Sequence, residues 1–107
     1  MWVKLYEVAH ARAGDKGDTS NISLIVYDKR DYAAIAAQVT AARVKEWFGP
    51  LVEGRVDRYE LPQLGALNFV LYQALGGGVT RTLNLDPHGK TRSSWLLEME
   101  IDLPPEG

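Results

Sequence analysis

The stretch His10-Ala-Arg-Ala-Gly-Asp-Lys-Gly-Asp-Thr-Ser-Asn21 gathers a histidine, cations, carboxylates, hydroxyls and two glycines between two apolar runs. Read as a polar loop at a strand end, it has the residue types of a binding site. Gly14 and Gly17 let a ligand approach the backbone closely, and their amides with Arg12 and Lys16 would form a concave anion site. A P-loop is absent, because Gly17 is followed by Asp18 and no Gly-Lys-Ser/Thr occurs. Asp15, Asp18 and Asn21 offer oxygens to a hard cation, but their spacing misses the calcium-loop pattern and lacks a closing glutamate, so no metal is expected. His10 is the candidate for proton transfer, with Asp15 or Asp18 orienting it. No nucleophile is placed beside it to complete a triad. The same loop also has a structural reading, in which Asp15, Asp18 and Ser20 cap backbone amides and Arg12 and Lys16 pair with the carboxylates.

Two more polar residues fall among apolar ones. In residues 64–75, Leu64, Leu67, Leu71, Ala74 and Leu75 share one helical face, and Asn68 lies within that arc. Arg81 shares its strand parity with Val79, Leu83 and Leu85. A buried amide and a buried guanidinium both need partners. The expectation is that Asn68, Arg81 and Gly76, Gly77 and Gly78 converge on the 10–21 loop as one pocket; a structural hydrogen-bond network is the alternative. His88, in an Asp-Pro-His-Gly turn, is expected at the surface. Trp2, Trp47 and Trp95 are expected as core or interface anchors.

The elements that must position these residues follow from periodicity. Residues 2–9 and 22–27 read as strands, the second central because it is apolar on both faces. Asp31 and Thr40 are good N-caps for two short helices, 32–38 and 41–48, since a single helix would put Val44, Trp47 and Phe48 roughly 100° from the stripe of Ile35 and Val39. Gly49-Pro50 stops the second. Residues 54–61 form a polar edge strand ended by Pro62. A helix over 64–75 ends at the triple glycine. Residues 79–85 and 90–103 then form a terminal hairpin, with Trp95, Leu97, Met99, Ile101 and Leu103 on its buried face.

This order implies an α+β, ferredoxin-like sandwich: about five strands in one mainly antiparallel sheet, with two to three helices on one face. One domain spans 1–103, and 104–107 is a frayed tail. A chain of 107 residues, 46% hydrophobic, buries roughly 65% of its unfolded surface and needs no disulfide or metal to fold. It has no cysteine, which excludes thiol catalysis and fits a cytoplasmic location. Twelve basic against fourteen acidic residues leave no footprint for nucleic acid. No window approaches the roughly 20 apolar residues of a membrane span.

The runs Ala11 to Ile22, Thr40 to Phe48, Arg58 to Leu71, Ala74 to Gly78 and Leu85 to Lys90 resemble, in that order, the C-terminal domain of acyclic terpene utilisation (AtuA) family proteins. In that family such a domain commonly follows a much larger N-terminal domain, or resembles a stand-alone chain encoded beside a large one. The resemblance implies a small accessory or regulatory subunit that docks on a larger AtuA-type protein in acyclic terpenoid or branched-chain acyl-CoA catabolism. The polar loop would hold an anionic substrate such as a coenzyme A thioester, with no cofactor of its own. A self-contained small enzyme or ligand-binding protein using that loop is the second reading, and a homo-oligomeric assembly module pairing through the 54–61 strand, or through another sheet edge, is the third.

Overall fold

The computed structural model describes residues 1–16, 19–73 and 92–103, with the side chains of all but Asp15, Lys16, Leu51 and Arg92 among them. In chain order the described elements are β1 (Trp2–Lys4), α1 (Leu5–Val8), β2 (Ala9–Lys16), β3 (Thr19–Val26), α2 (Tyr32–Gln38), α3 (Ala41–Phe48), β4 (Val56–Leu61), β5 (Ala66–Leu71), α4 (Arg92–Leu96) and β6 (Glu100–Asp102). They make an α+β fold with two antiparallel sheets: a four-stranded sheet ordered β2-β3-β5-β4 and a ribbon of β1 and β6.

Strand alternation separates the two faces of the larger sheet. Ile22, Leu24 and Val26 on β3 and Leu67, Phe69 and Leu71 on β5 are buried on one face, under Ile35 of α2, Val39 just after it, and Val44 and Phe48 of α3. Leu5, Leu96, Met99 and Ile101 extend that core beneath the ribbon. As expected, β3 is central and β4 lies at the edge.

The two middle helices begin and end where the sequence places them, and the Thr40 hydroxyl accepts the Arg43 N–H at 3.1 Å. Asp31 makes no side-chain cap; instead Asp28 accepts the Arg30 N–H at the one-turn 3-10 segment just before α2. Side chains then tie the helices to the strands. Gln38 exchanges two hydrogen bonds with the Asp102 backbone, at 2.6 and 2.7 Å. Arg43 donates to the Gln38 and Glu100 carbonyls, and Trp47 Nε1 to the Trp95 carbonyl at 3.0 Å, with the two indoles stacked. Arg58, reaching under α2 from β4, donates to the carbonyls of Ala36 and Val39, where a helix end leaves acceptors unmet.

Several expectations are corrected. Residues 2–9 do not form one strand: after β1 the turn α1, closed by Lys4 N–H on Glu7 Oε2 at 2.9 Å, carries the chain from the ribbon into the larger sheet. Residues 10–16 and 19–21 are not a loop but belong to facing antiparallel strands, paired from Ala9↔Val26 to Lys16↔Thr19. Residues 64–75 are not a helix, since 66–71 form β5. Its leucines fit a 3.6-residue period, but Leu67, Phe69 and Leu71 also fit a period of two, and hydrogen bonds from β3 on one side and β4 on the other decide between them. Gly65, at φ 62°, makes the turn that sets this register. Residues 90–103 do not form one strand either: Arg92–Leu96 is helical, and the short β6 pairs with β1. The first arm of the expected hairpin, 79–85, lies outside the described residues, as do 74–78, His88 and 104–107. Trp2 is 65% exposed and anchors no core.

Gly54 and Gly14 provide a contrast that tests this packing. A Cβ on Gly54 would sit 2.6 Å from the Tyr72 carbonyl oxygen, whereas one on Gly14 meets nothing within 4 Å. Gly54→Ala should therefore destabilise the fold by about 1–3 kcal/mol in denaturant unfolding, and Gly14→Ala should leave the midpoint nearly unchanged.

Candidate functional site

The face of the larger sheet opposite the core carries the sequence's polar candidates in three transverse rows set by strand register. The middle row is Arg12↔Ser23↔Asn68↔Tyr59. On one side of it runs His10↔Ile25↔Ala66↔Leu61, and on the other Gly14↔Asn21↔Val70↔Asp57. At ~4.8 Å per strand spacing, the middle row runs about 14 Å from Arg12 to Tyr59. None of the described helices packs its buried side chains on this face.

The rows differ in chemistry. Ser23 Oγ donates to Asn68 Oδ1 at 3.1 Å, leaving the Asn68 NH2 without a partner among the described residues. Arg12 is exposed and has no ion pair among the described residues. His10 stacks on Tyr27 with ring centroids 5.4 Å apart. His10, Arg12, Ser23, Ile25, Leu61 and Leu64 line an open groove of about 430 Å³. Around it Tyr27, Tyr59, Leu61 and Leu64 leave large apolar surfaces exposed, a pattern that marks an interaction site. At the far corner Arg55 bonds Asp57 at 3.2 Å and lies over the Tyr72 ring. The hydrogen bond to Asp57, followed by that to Tyr72, favours the charged guanidinium beyond its ordinary range.

Register thus brings together His10, Arg12, Gly14, Asn21 and Asn68. Lys16 occupies the same strand parity as Arg12, whereas Asp15, opposite Ser20, occupies the alternate parity. Asn68 does not enter the core, as a helical reading required, because on a strand it alternates with the buried Leu67 and Phe69. Gly17, Asp18, Gly76, Gly77, Gly78 and Arg81 lie outside the described residues. Ser23, Ile25, Tyr59 and Leu61 were missed by sequence reasoning. Their signal was the alternation in Ser23-Leu-Ile25 and Tyr59-Glu-Leu61, visible only once both runs are taken as neighbours in one sheet. The face is equipped for recognition: a cation with no ion pair among the described residues, amide and hydroxyl groups in line, and an apolar row alongside.

The roles of Asn68 and Arg12 in stability should separate. Asn68→Ala leaves the half-buried Ser23 hydroxyl without its acceptor and should cost about 0.5–1.5 kcal/mol, while Arg12→Ala should change stability by less than about 0.5 kcal/mol, both read by thermal or denaturant unfolding.

The family model described as the AtuA ferredoxin-like domain matches residues 3–102, nearly the whole chain. No curated protein and no solved structure matches it. Among the described residues no helix is long and apolar enough to cross a membrane.

Proposed function

This chain belongs to the AtuA ferredoxin-like domain family, and on that premise we propose that it is a small accessory or regulatory subunit of a larger AtuA-type protein. Its docking surface is the open face of the four-stranded sheet. The observation that carries this reading is the arrangement of that face, where an apolar row ending in the exposed Leu61 runs beside a polar row ending in the exposed Arg12. Such a surface joins burial of apolar area with hydrogen bonds and charge that fix orientation. Arg12, with the backbone around Gly14, would present its charge to an organic anion held at the joint, with a coenzyme A thioester of an acyclic terpenoid or branched-chain acid as the substrate class.

The test is co-purification of the small chain with a tagged large AtuA-type protein, then activity of each alone and together on acyl-CoA substrates. The wild-type chain should be retained. Ile25→Lys, which puts a charge in the middle of the apolar row, should weaken retention at least tenfold, which is about 1.4 kcal/mol. Arg12→Glu should lower the activity of the mixture more than it lowers retention. Full activity of the large protein alone, or retention unchanged by Ile25→Lys in a folded variant, would overturn the proposal.

A further inference from the structure

The outer edge of β4 has a backbone and charge pattern that fits its own copy. Tyr72 N–H donates to the Arg55 carbonyl at 2.9 Å, which makes 55 and 72 a hydrogen-bonded pair in the β4–β5 ladder. Such pairs alternate with non-bonded ones, so Asp57, Tyr59 and Leu61 direct their N–H and C=O groups to β5. Val56, Arg58 and Glu60 therefore turn theirs outward. None of the described strands pairs with that edge, and Tyr59, Glu60 and Leu61 are exposed. An open edge of this kind is a template for another strand.

We propose that two copies of this chain join β4 to β4 in antiparallel register about a two-fold axis at Tyr59, forming one continuous eight-stranded sheet. The register follows from two constraints. Opposed residues project to the same face, so keeping both helix layers on one side requires residues of equal parity to oppose each other. Among such registers, centring on Arg58 opposes two arginines, on Glu60 two glutamates and on Asp57 two aspartates. Centring on Tyr59 sets Arg58 against Glu60 of the other copy, twice, so that the Arg58–Glu60 ion pair each chain already makes at 3.0 Å joins its symmetry mate in a four-charge cluster of alternating sign. It also lets these two outward-facing residues exchange both backbone hydrogen bonds. Asp57, held by Arg55, falls opposite Leu61, and Pro62, which has no N–H, falls opposite Val56 and ends the ladder. Because the two-fold uses the β4 edge of each copy, no β4 edge is left to which a third copy could add in the same way. The open faces of the two copies become coplanar and stay uncovered.

The chain has no cysteine, so one introduced thiol reports the axis. In Tyr59→Cys the two thiols would meet across a non-hydrogen-bonded pair with Cα atoms about 4.5 Å apart, within disulfide reach. In Leu61→Cys, also at an exposed position, they would be offset by four residues and out of reach. Under mild oxidation Tyr59→Cys should form a covalent dimer at least tenfold faster than Leu61→Cys. The wild-type chain should have twice the 11.9 kDa mass of one chain by light scattering. Glu60→Lys, which sets a like charge beside Arg58 both in its own chain and across the axis, should raise the dissociation constant at least tenfold while the circular dichroism stays native. A monomer throughout a dilution series, or equal cross-linking of the two cysteine variants, would overturn the proposal. Cross-linking and light scattering are measured on the small chain alone, so the result is independent of docking on the large protein.

Discussion

Pairing of β3 with β5 is the constraint on which the rest of this structure depends. It joins two hairpins, β2–β3 and β4–β5, that are otherwise local, and it opposes Ile22 to Phe69 and Leu24 to Leu67 on the core face. The same register necessarily opposes Ser23 to Asn68 and Ile25 to Ala66 on the other face. A slip of one residue would exchange the two faces of a strand, putting Asn68 under the helices and Phe69 in water. Core and recognition surface are thus two readings of one set of backbone hydrogen bonds.

Some basic side chains pair with carboxylates, as Lys4 does with Glu98 and Arg55 with Asp57, and others serve the frame itself. Arg43, Lys45 and Arg58 point their charges at backbone carbonyls of neighbouring segments: Arg43 at Gln38 and Glu100, Lys45 at Val52 and Gly54, Arg58 at the end of α2. These cations close the structure by satisfying acceptors that helix ends and turns leave open. Arg12, on the opposite face, has no such acceptor among the described residues. That contrast is why its charge is read as directed outward, to a ligand or partner, and why its removal should leave the fold intact.

Legibility in the sequence followed how local the deciding interaction was. The break between α2 and α3 was visible because Thr40 caps its own neighbour and because the apolar stripe changes phase there, both within one turn of chain. The edge character of β4 was visible in its charges and in Pro62. β5 was not, because Leu64, Leu67 and Leu71 satisfy a helical period and only β3 and β4, distant in sequence, supply the hydrogen bonds that make it a strand. The polar hairpin was recognised by composition and mistaken in form, since glycines and charges that suit a loop also suit the exposed face of an outer strand. His10, Arg12, Asn21 and Asn68, singled out by residue type, share one surface through the strand register, and Ser23 and Tyr59, which complete the row, were visible only in that register.

The central claim is that the open sheet face receives the large AtuA-type protein. The chain contains four isoleucines; Ile22, Ile35 and Ile101 are fully buried, and Ile25 alone lies on that face. Methyl NMR of the isoleucine-labelled chain, titrated with the unlabelled large protein, should move or broaden the Ile25 signal first and most, leaving the relative positions of the other three unchanged. Binding that leaves Ile25 unperturbed while the Ile101 or Ile35 methyl responds would place the partner on the helix or ribbon side and contradict the account.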